Sequence, residues 1–219
     1  MRFTKDEIRK AMLLYAVTDS SWLKPGETLP EVVEDVLNNG ATFLQIREKK
    51  MEHGAFLEEA RELQAAARRH HVPFVVNDAI DIALELDADG VHVGQSDILG
   101  KDVRAMIGPE RILGISAGTV EEAVAAERSG ADYLGVGAMF ATTTKQIDGT
   151  LSPEQLKAIC DAVSIPVVAI GGISAGNIQQ LSGTGVDGVA VVSAIFAQPE
   201  PGKAAAGLLE LSRKMVNHG

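Results

Sequence analysis

Short β-rich runs alternate with helix-like segments along the whole chain, and this alternation constrains the fold more than any other feature. The runs are LLYAVTD (13–19), ATFLQIR (41–47), PFVVND (73–78), GVHVG (90–94), RILGISA (111–117), DYLGVG (132–137), PVVAIGG (166–172) and GVAVVSA (188–194). Between them lie segments whose apolar residues recur at helical spacing, including LPEVVEDVLNNG, AFLEEARELQAAARRHH, TVEEAVAAERSG and GNIQQLSGTG. Four junctions share wording: NGATF, DADGV, SGADYL and TGVDGV each put Gly or a small residue where a helix ends and a strand begins. Eight βα units in 219 residues predict an α/β fold of the (β/α)8 TIM-barrel type, one domain over 1–219 with a short N-terminal helix. A flavodoxin-like open sheet accounts for eight units less well. A Gly-x-Gly-x-x-Gly turn after the first strand is also missing, so no dinucleotide fingerprint supports it.

Within the second run, FLQIREK (43–49) sets Gln45, Arg47 and Lys49 on one face and Leu44 and Ile46 on the other. In a barrel the apolar pair packs outward on the helices, which turns Gln45 and Arg47 into the mouth with Lys49 just above. Barrel chemistry collects at the C-terminal ends of the strands. Those ends hold Tyr15 and Asp19; Asn77 and Asp78; His92, Gln95 and Asp97; Ser116; Thr142, Thr144 and Lys145; Gly171 and Gly172; and Ser193.

Two subsites follow from residue chemistry. The loops after the seventh and eighth strands are where barrels commonly bind phosphate through backbone N–H groups, and Gly171-Gly172 permits close approach of the chain. The same glycines could make only a tight turn, but the agreement of two adjacent loops favours the phosphate reading. The second subsite mixes Arg47, Lys49 and Lys145 with Asp78 and Asp97, a set that binds a polyphosphate when the two carboxylates hold Mg²⁺. Taken singly, Asp78 could instead cap the helix AIDIALEL, Asp97 could cap a turn in GQSDILGKD, and His92 could be a packed, hydrogen-bonded histidine. TTTKQIDG reads either as a polar surface loop or, from its length, as a ligand-binding one.

Composition narrows the partners. A formal net charge of −10 disfavours general binding to nucleic acid or an anionic membrane, so anion sites must be local. The single Cys160 excludes an internal disulfide and falls in the helical run SPEQLKAICDAV, where a packed thiol is expected. The opening MRFTKDEIRKAM lacks an apolar signal core and no run suits a membrane span, so a cytoplasmic protein is expected. A homo-oligomer is left open.

At this point LQIREK, VNDAIDIALELDADGVHVGQSD, LGISAGT, GADYLGVGAMFATTTK, IPVVAIGGI and DGVAVVSAI together resemble the thiamine-phosphate synthase family, over about residues 13–197. The resemblance implies a (β/α)8 transferase of thiamine biosynthesis. Such an enzyme joins the pyrophosphate ester of a hydroxymethylpyrimidine to a thiazole phosphate, giving thiamine phosphate and pyrophosphate. It implies that Gln45, Ile46, Arg47, Glu48 and Lys49, with Asn77, Ser116 and Lys145, bind the pyrimidine pyrophosphate, and that Asp78 and Asp97 hold Mg²⁺. Thr142, Thr143 and Thr144, with Gly172, Val192 and Ser193, match the thiazole phosphate site, and Tyr15 and His92 the pyrimidine pocket. Arg47, Lys49 and Lys145 are the candidate catalytic cations, neutralising charge on the departing pyrophosphate. The path implied is dissociative, through a benzyl-like pyrimidine cation that the thiazole nitrogen attacks, with no protein nucleophile.

Two positions depart from the family pattern. Ala141 stands where Pro is common before the Thr-rich loop, a change expected to loosen it, and Gly118 stands where His is frequent. The rival readings are a barrel relative that tautomerises an aminated thiazole phosphate, using a His in that region, and a non-catalytic barrel that senses a phosphorylated metabolite. Retention of both aspartates favours the synthase.

Overall fold

Each expected run forms a strand, trimmed by up to three residues at an end: β1 Leu14–Val17, β2 Phe43–Ile46, β3 Phe74–Asn77, β4 Gly90–Val93, β5 Ile112–Ala117, β6 Tyr133–Val136, β7 Val167–Ile170 and β8 Gly188–Val191. The computed structural model describes residues 3–48, 51–98, 102–141 and 149–217, apart from the side chains of Asp97 and Ile98. All neighbouring strands are parallel, and β8 pairs with β1 to close the barrel. Around it run α1 Lys5–Ala11, α2 Leu29–Asn38, α3 His53–Arg69, α4 Ile80–Glu85, α5 Gln95–Ile98, α6 Val103–Ile107, α7 Val120–Arg128, α8 Pro153–Ala162, α9 Ser193–Phe196 and α10 Pro201–Asn217. No helix among the described residues is long and apolar enough to cross a membrane.

Strand periodicity sorts the core into two shells. Leu14, Ala16, Leu44, Ile46, Phe74, Val76, Leu134 and Val136 point outward and pack under the helices. Tyr15, Val17, Phe43, Val75, Ile112, Tyr133, Val168 and Ala190 fill the interior, joined from below by Ile8 of α1 and Met12, the residue that caps its C-terminus. That helix starts in a capping box between Thr4 and Glu7, and its Arg9 holds Asp187 at 2.6 Å and the Ser164 carbonyl at 2.6 Å.

The shared junction wording has a structural reason beyond helix capping. Thr42 Oγ1 accepts from Leu14 N at 2.8 Å, Asp89 Oδ2 from Phe74 N at 3.0 Å, Asp132 Oδ2 from Leu113 N at 2.8 Å and Asp187 Oδ2 from Val167 N at 2.9 Å. The residue before each even-numbered strand therefore satisfies an N–H near the start of the odd-numbered strand preceding it. All four lie at the end of the barrel away from the strand C-termini, where conserving geometry serves the fold.

One expected helix is different. GNIQQLSGTG forms only a 3-10 turn, Ile178–Leu181. Ser182 is extended, and Gly183 and Gly185 take φ of +79° and +87°, which ends helical winding. Asn177 is meanwhile committed to the loop after β7, as described below.

Candidate active site

The C-terminal mouth of the barrel opens into a cavity of about 180 Å³ whose lining includes Tyr15, Gln45, Arg47, Asn77, Asp78, His92 and Ser116 from the first five strands, and Gly172, Val192 and Ser193 from the last two loops. With Gly135, Gly137 and Ala138 from the end of β6, sequence-distant residues from all eight strand ends thus face one space.

Its deep end is a chain of polar contacts. Gln45 Nε2 donates to Tyr15 Oη at 2.5 Å, and Tyr15 Oη lies 2.8 Å from Tyr133 Oη. Tyr133 Oη lies 2.9 Å from His92 Nδ1, and His92 Nε2 lies 3.0 Å from Ser116 Oγ. Burial pushes both phenols well above the ordinary tyrosine value, so each keeps its proton. His92 is therefore both the hydrogen-bonded histidine and a cavity-lining one. Gln95 Nε2 donates to the Ser116 carbonyl at 2.6 Å, which holds the end of β5 in place.

Arg47 is half-buried on the cavity wall, and among the described residues its guanidinium makes no ion pair or hydrogen bond. Its backbone N–H donates to Thr18 Oγ1 at 3.0 Å, which fixes where the side chain leaves β2. The adjacent Glu48 turns away to accept from Ser20 Oγ at 2.6 Å and Ser20 N at 3.2 Å. Ile46 is fully buried in the outer shell, so its side chain takes no part in the cavity. Asp19 caps the 3-10 turn Ser20–Trp22 through Ser21 N at 3.1 Å.

Asp78 does not cap α4: the residue in the cap position is Ala79, with no side-chain cap bond. It takes φ of +60°, a left-handed conformation that Asp tolerates better than most residues, and so reaches the cavity wall. Asn77 Nδ2 donates to Asp78 Oδ2 at 2.5 Å. No group of three or more His, Cys, Asp or Glu able to hold a metal occurs among the described residues. One or two carboxylates completed by ligand phosphate oxygens and water is nevertheless the set that Mg²⁺ prefers, and Asp78 fits it.

Across the mouth, Gly172, Ile173 and Ser193 also line an adjoining space of about 420 Å³ with Ala141, Ser174 and Gln198. Ser193 opens α9, and the first N–H groups of a helix have no partner within it, which suits an anion. The loop after β7 is braced by Asn177, whose Nδ2 donates to the Gly172 carbonyl at 2.9 Å and whose Oδ1 accepts from Ser174 N at 2.8 Å. Gly172 has φ of +66°, and a Cβ there would lie 2.5 Å from Ala141 O and 2.6 Å from Phe140 O. The close approach it permits is thus to the protein's own loop after β6.

Lys49, Thr142, Thr143, Thr144 and Lys145 lie outside the described residues, as does the side chain of Asp97. Cys160 is partly buried in α8, and desolvation pushes its thiol up to about 12, in keeping with a packing role.

The thiamine monophosphate synthase family model matches residues 14–195. This chain belongs to that family. A thiamine-phosphate synthase of Ruminiclostridium cellulolyticum is 48% identical over 198 residues, 90% of this chain and 94% of the relative. One of Clostridium tetani is 45% identical over 191 residues, covering 87% and 91%. The solved thiamine phosphate pyrophosphorylase of Pyrococcus furiosus superposes with a TM-score of 0.86 at 36% identity, covering 95% of this chain and 99% of that one. Membership in the thiamine monophosphate synthase family makes the chain a transferase of thiamine biosynthesis, as its motifs implied.

Several residues that shape this synthase site escaped the sequence reading. Tyr133 is the second residue of DYLGVG, and alternation with Gly135 turns it inward. Thr18 and Asn177 act on backbone, and Ser20 on the Glu48 carboxylate, from loops where no periodicity marks them.

Proposed function

We propose that this member of the thiamine monophosphate synthase family condenses hydroxymethylpyrimidine pyrophosphate with a thiazole phosphate to give thiamine phosphate and pyrophosphate. The observation that carries the reading is Arg47, a cavity-wall guanidinium with no acid paired to it among the described residues. A half-buried cation left without a counter-charge is matched by an anionic ligand, and the planar fork suits two phosphate oxygens.

In this reading the C–O bond between the pyrimidine methylene and pyrophosphate breaks, both electrons leave with pyrophosphate, and the thiazole nitrogen supplies the pair for the new C–N bond. Arg47 meets the charge growing on the leaving group, with Lys49 and Lys145 as the further cations. Asp78, with Asp97, would hold Mg²⁺, which adds neutralising charge at the pyrophosphate. The deep polar chain grips the pyrimidine, and the loops bearing Gly172, Val192 and Ser193 receive the thiazole phosphate. No protein nucleophile is required.

The tautomerase alternative lacks its base: position 118 is Gly, and its N–H donates to Glu122 Oε2 at 2.7 Å. The test is to incubate purified protein with both precursors and Mg²⁺. Thiamine phosphate and pyrophosphate should form in equal amounts and cease on chelation by EDTA. Folded protein that forms neither product would refute the proposal, and full activity in EDTA would remove the metal from it.

A further inference from the structure

We propose that Tyr133, which does not line the cavity, is a positioning residue: it decides which ring nitrogen of His92 carries the proton and thereby makes Ser116 a hydrogen-bond donor into the cavity. Tyr133 is fully buried and wedged by its ring neighbours, with centroids 5.9 Å from Tyr15, 5.5 Å from Phe43 and 5.5 Å from His92. Its room comes from Gly114, its register partner on β5, where a Cβ would lie 2.2 Å from Tyr133 Cζ. The sequence thus leaves a side chain out on one strand so that a phenol can lie across the interior.

In the proposed arrangement the protons along this chain all point one way. An amide nitrogen cannot accept, so Gln45 Nε2 must donate to Tyr15 Oη. With Tyr15 Oη already accepting from Gln45, the proposal places the Tyr15 proton on Tyr133 Oη, 2.8 Å away, and the Tyr133 proton on His92 Nδ1, 2.9 Å away. A singly protonated His92 consequently carries its hydrogen on Nε2 and donates it to Ser116 Oγ. Gln95 occupies only the Ser116 carbonyl, so the serine hydroxyl proton is directed to the cavity that Ser116 lines. The group it selects is a hydrogen-bond acceptor, a bare ring nitrogen or a phosphate oxygen, and a donor at the same place is rejected because two hydrogens would face each other.

Nitrogen-15 spectra of histidine-labelled protein test this without any substrate, with the His92 signals assigned by their loss in His92→Gln. The wild-type ring should show its proton on Nε2 and a bare Nδ1. Tyr133→Phe should shift the population toward the Nδ1-protonated form. It should also raise the KM for the pyrimidine substrate roughly tenfold, the scale of one lost hydrogen bond, and leave the KM for the thiazole substrate unchanged. Only the kinetic arm rests on the proposed function, so a failure of that reading leaves the spectra to decide this one. A wild-type His92 protonated on Nδ1, or on both nitrogens, overturns the inference whether or not Tyr133→Phe folds. So does a folded Tyr133→Phe whose His92 signals match wild type.

Discussion

Glu48 accepts a hydrogen bond from Ser20 Oγ at 2.6 Å, which ties the turn after β1 to the end of β2 one residue from the cavity cation Arg47. The carboxylate that the family resemblance assigned to ligand binding is engaged by the fold. Glu48→Ala should lower stability by about 1 kcal/mol, or roughly 2–4 °C in melting temperature, while Glu48→Gln keeps one acceptor and recovers about half. Turnover should change less than about threefold. Unchanged melting combined with a large rise in KM for the pyrimidine substrate would mean that Glu48 touches the ligand instead.

Asp78→Asn separates charge from conformation. Asn tolerates the φ of +60° as Asp does, so melting temperature should stay within about 2 °C of wild type. Titration of activity with Mg²⁺ should show the half-saturating concentration raised about tenfold or more, corresponding to ~1.4 kcal/mol of lost cation affinity. An unaltered Mg²⁺ curve would remove Asp78 from the metal site.

Gly172→Ala should affect both substrates. Its new Cβ meets the carbonyls of Phe140 and Ala141, and these directly precede the segment that the family resemblance assigns to both ligands. The left-handed φ alone costs roughly 1–2 kcal/mol in a non-glycine residue, before any clash. Steady-state kinetics should give KM rising for both precursors, with melting lowered. A selective rise for the thiazole phosphate on an undisturbed fold would restore the simpler picture of a glycine that only admits phosphate.

Glu59 on α3 carries a pH dependence unrelated to the site. Burial, with Glu48 and then Glu62 adding repulsion, raises its carboxyl from 4.5 to about 7, and its Oε2 is buried without a hydrogen-bond partner among the described residues. A raised acid means that the folded state holds the proton longer. Its cost is absent below pH 4.5, grows as pH climbs toward 7 and is complete above that. Glu59→Gln should accordingly match wild type at pH 4 and be more stable at pH 8, by about 1 kcal/mol once solvent screening of this partly exposed group is allowed for. Melting curves at the two pH values check this, and an equal gain at both would assign the effect to packing.

The strands were legible because period-two alternation is a local signal: Leu44 and Ile46 against Gln45 and Arg47 state both faces of β2 within a few residues. The 3-10 turn after β7 was not, since IQQL has helical spacing and only Gly183, Gly185 and the tie from Asn177 to Gly172 stop it winding further. In the site, the charged and polar strand-end residues are legible in the sequence, whereas the tie of Glu48 to Ser20 and the inward place of Tyr133 are not. Whether a carboxylate faces a ligand or a neighbouring serine depends on the path of a loop 28 residues away in sequence. Likewise, the room for Tyr133 is made by Gly114 on a different strand, a pairing visible only once the register is known.

The central claim is that Arg47 serves the departing pyrophosphate, and the most direct measurement is melting temperature and turnover per folded molecule on one preparation of Arg47→Ala. With no acid partnered to Arg47 among the described residues, its removal strands no buried counter-charge, so melting should stay within a few degrees of wild type. Turnover should fall about a hundredfold or more, the scale of losing one group that stabilises transition-state charge. Arg47→Lys should recover only part, because an ammonium lacks the two-pronged grip on phosphate. Normal turnover in the folded fraction of Arg47→Ala, above all alongside early melting, would contradict the account and make Arg47 a structural residue.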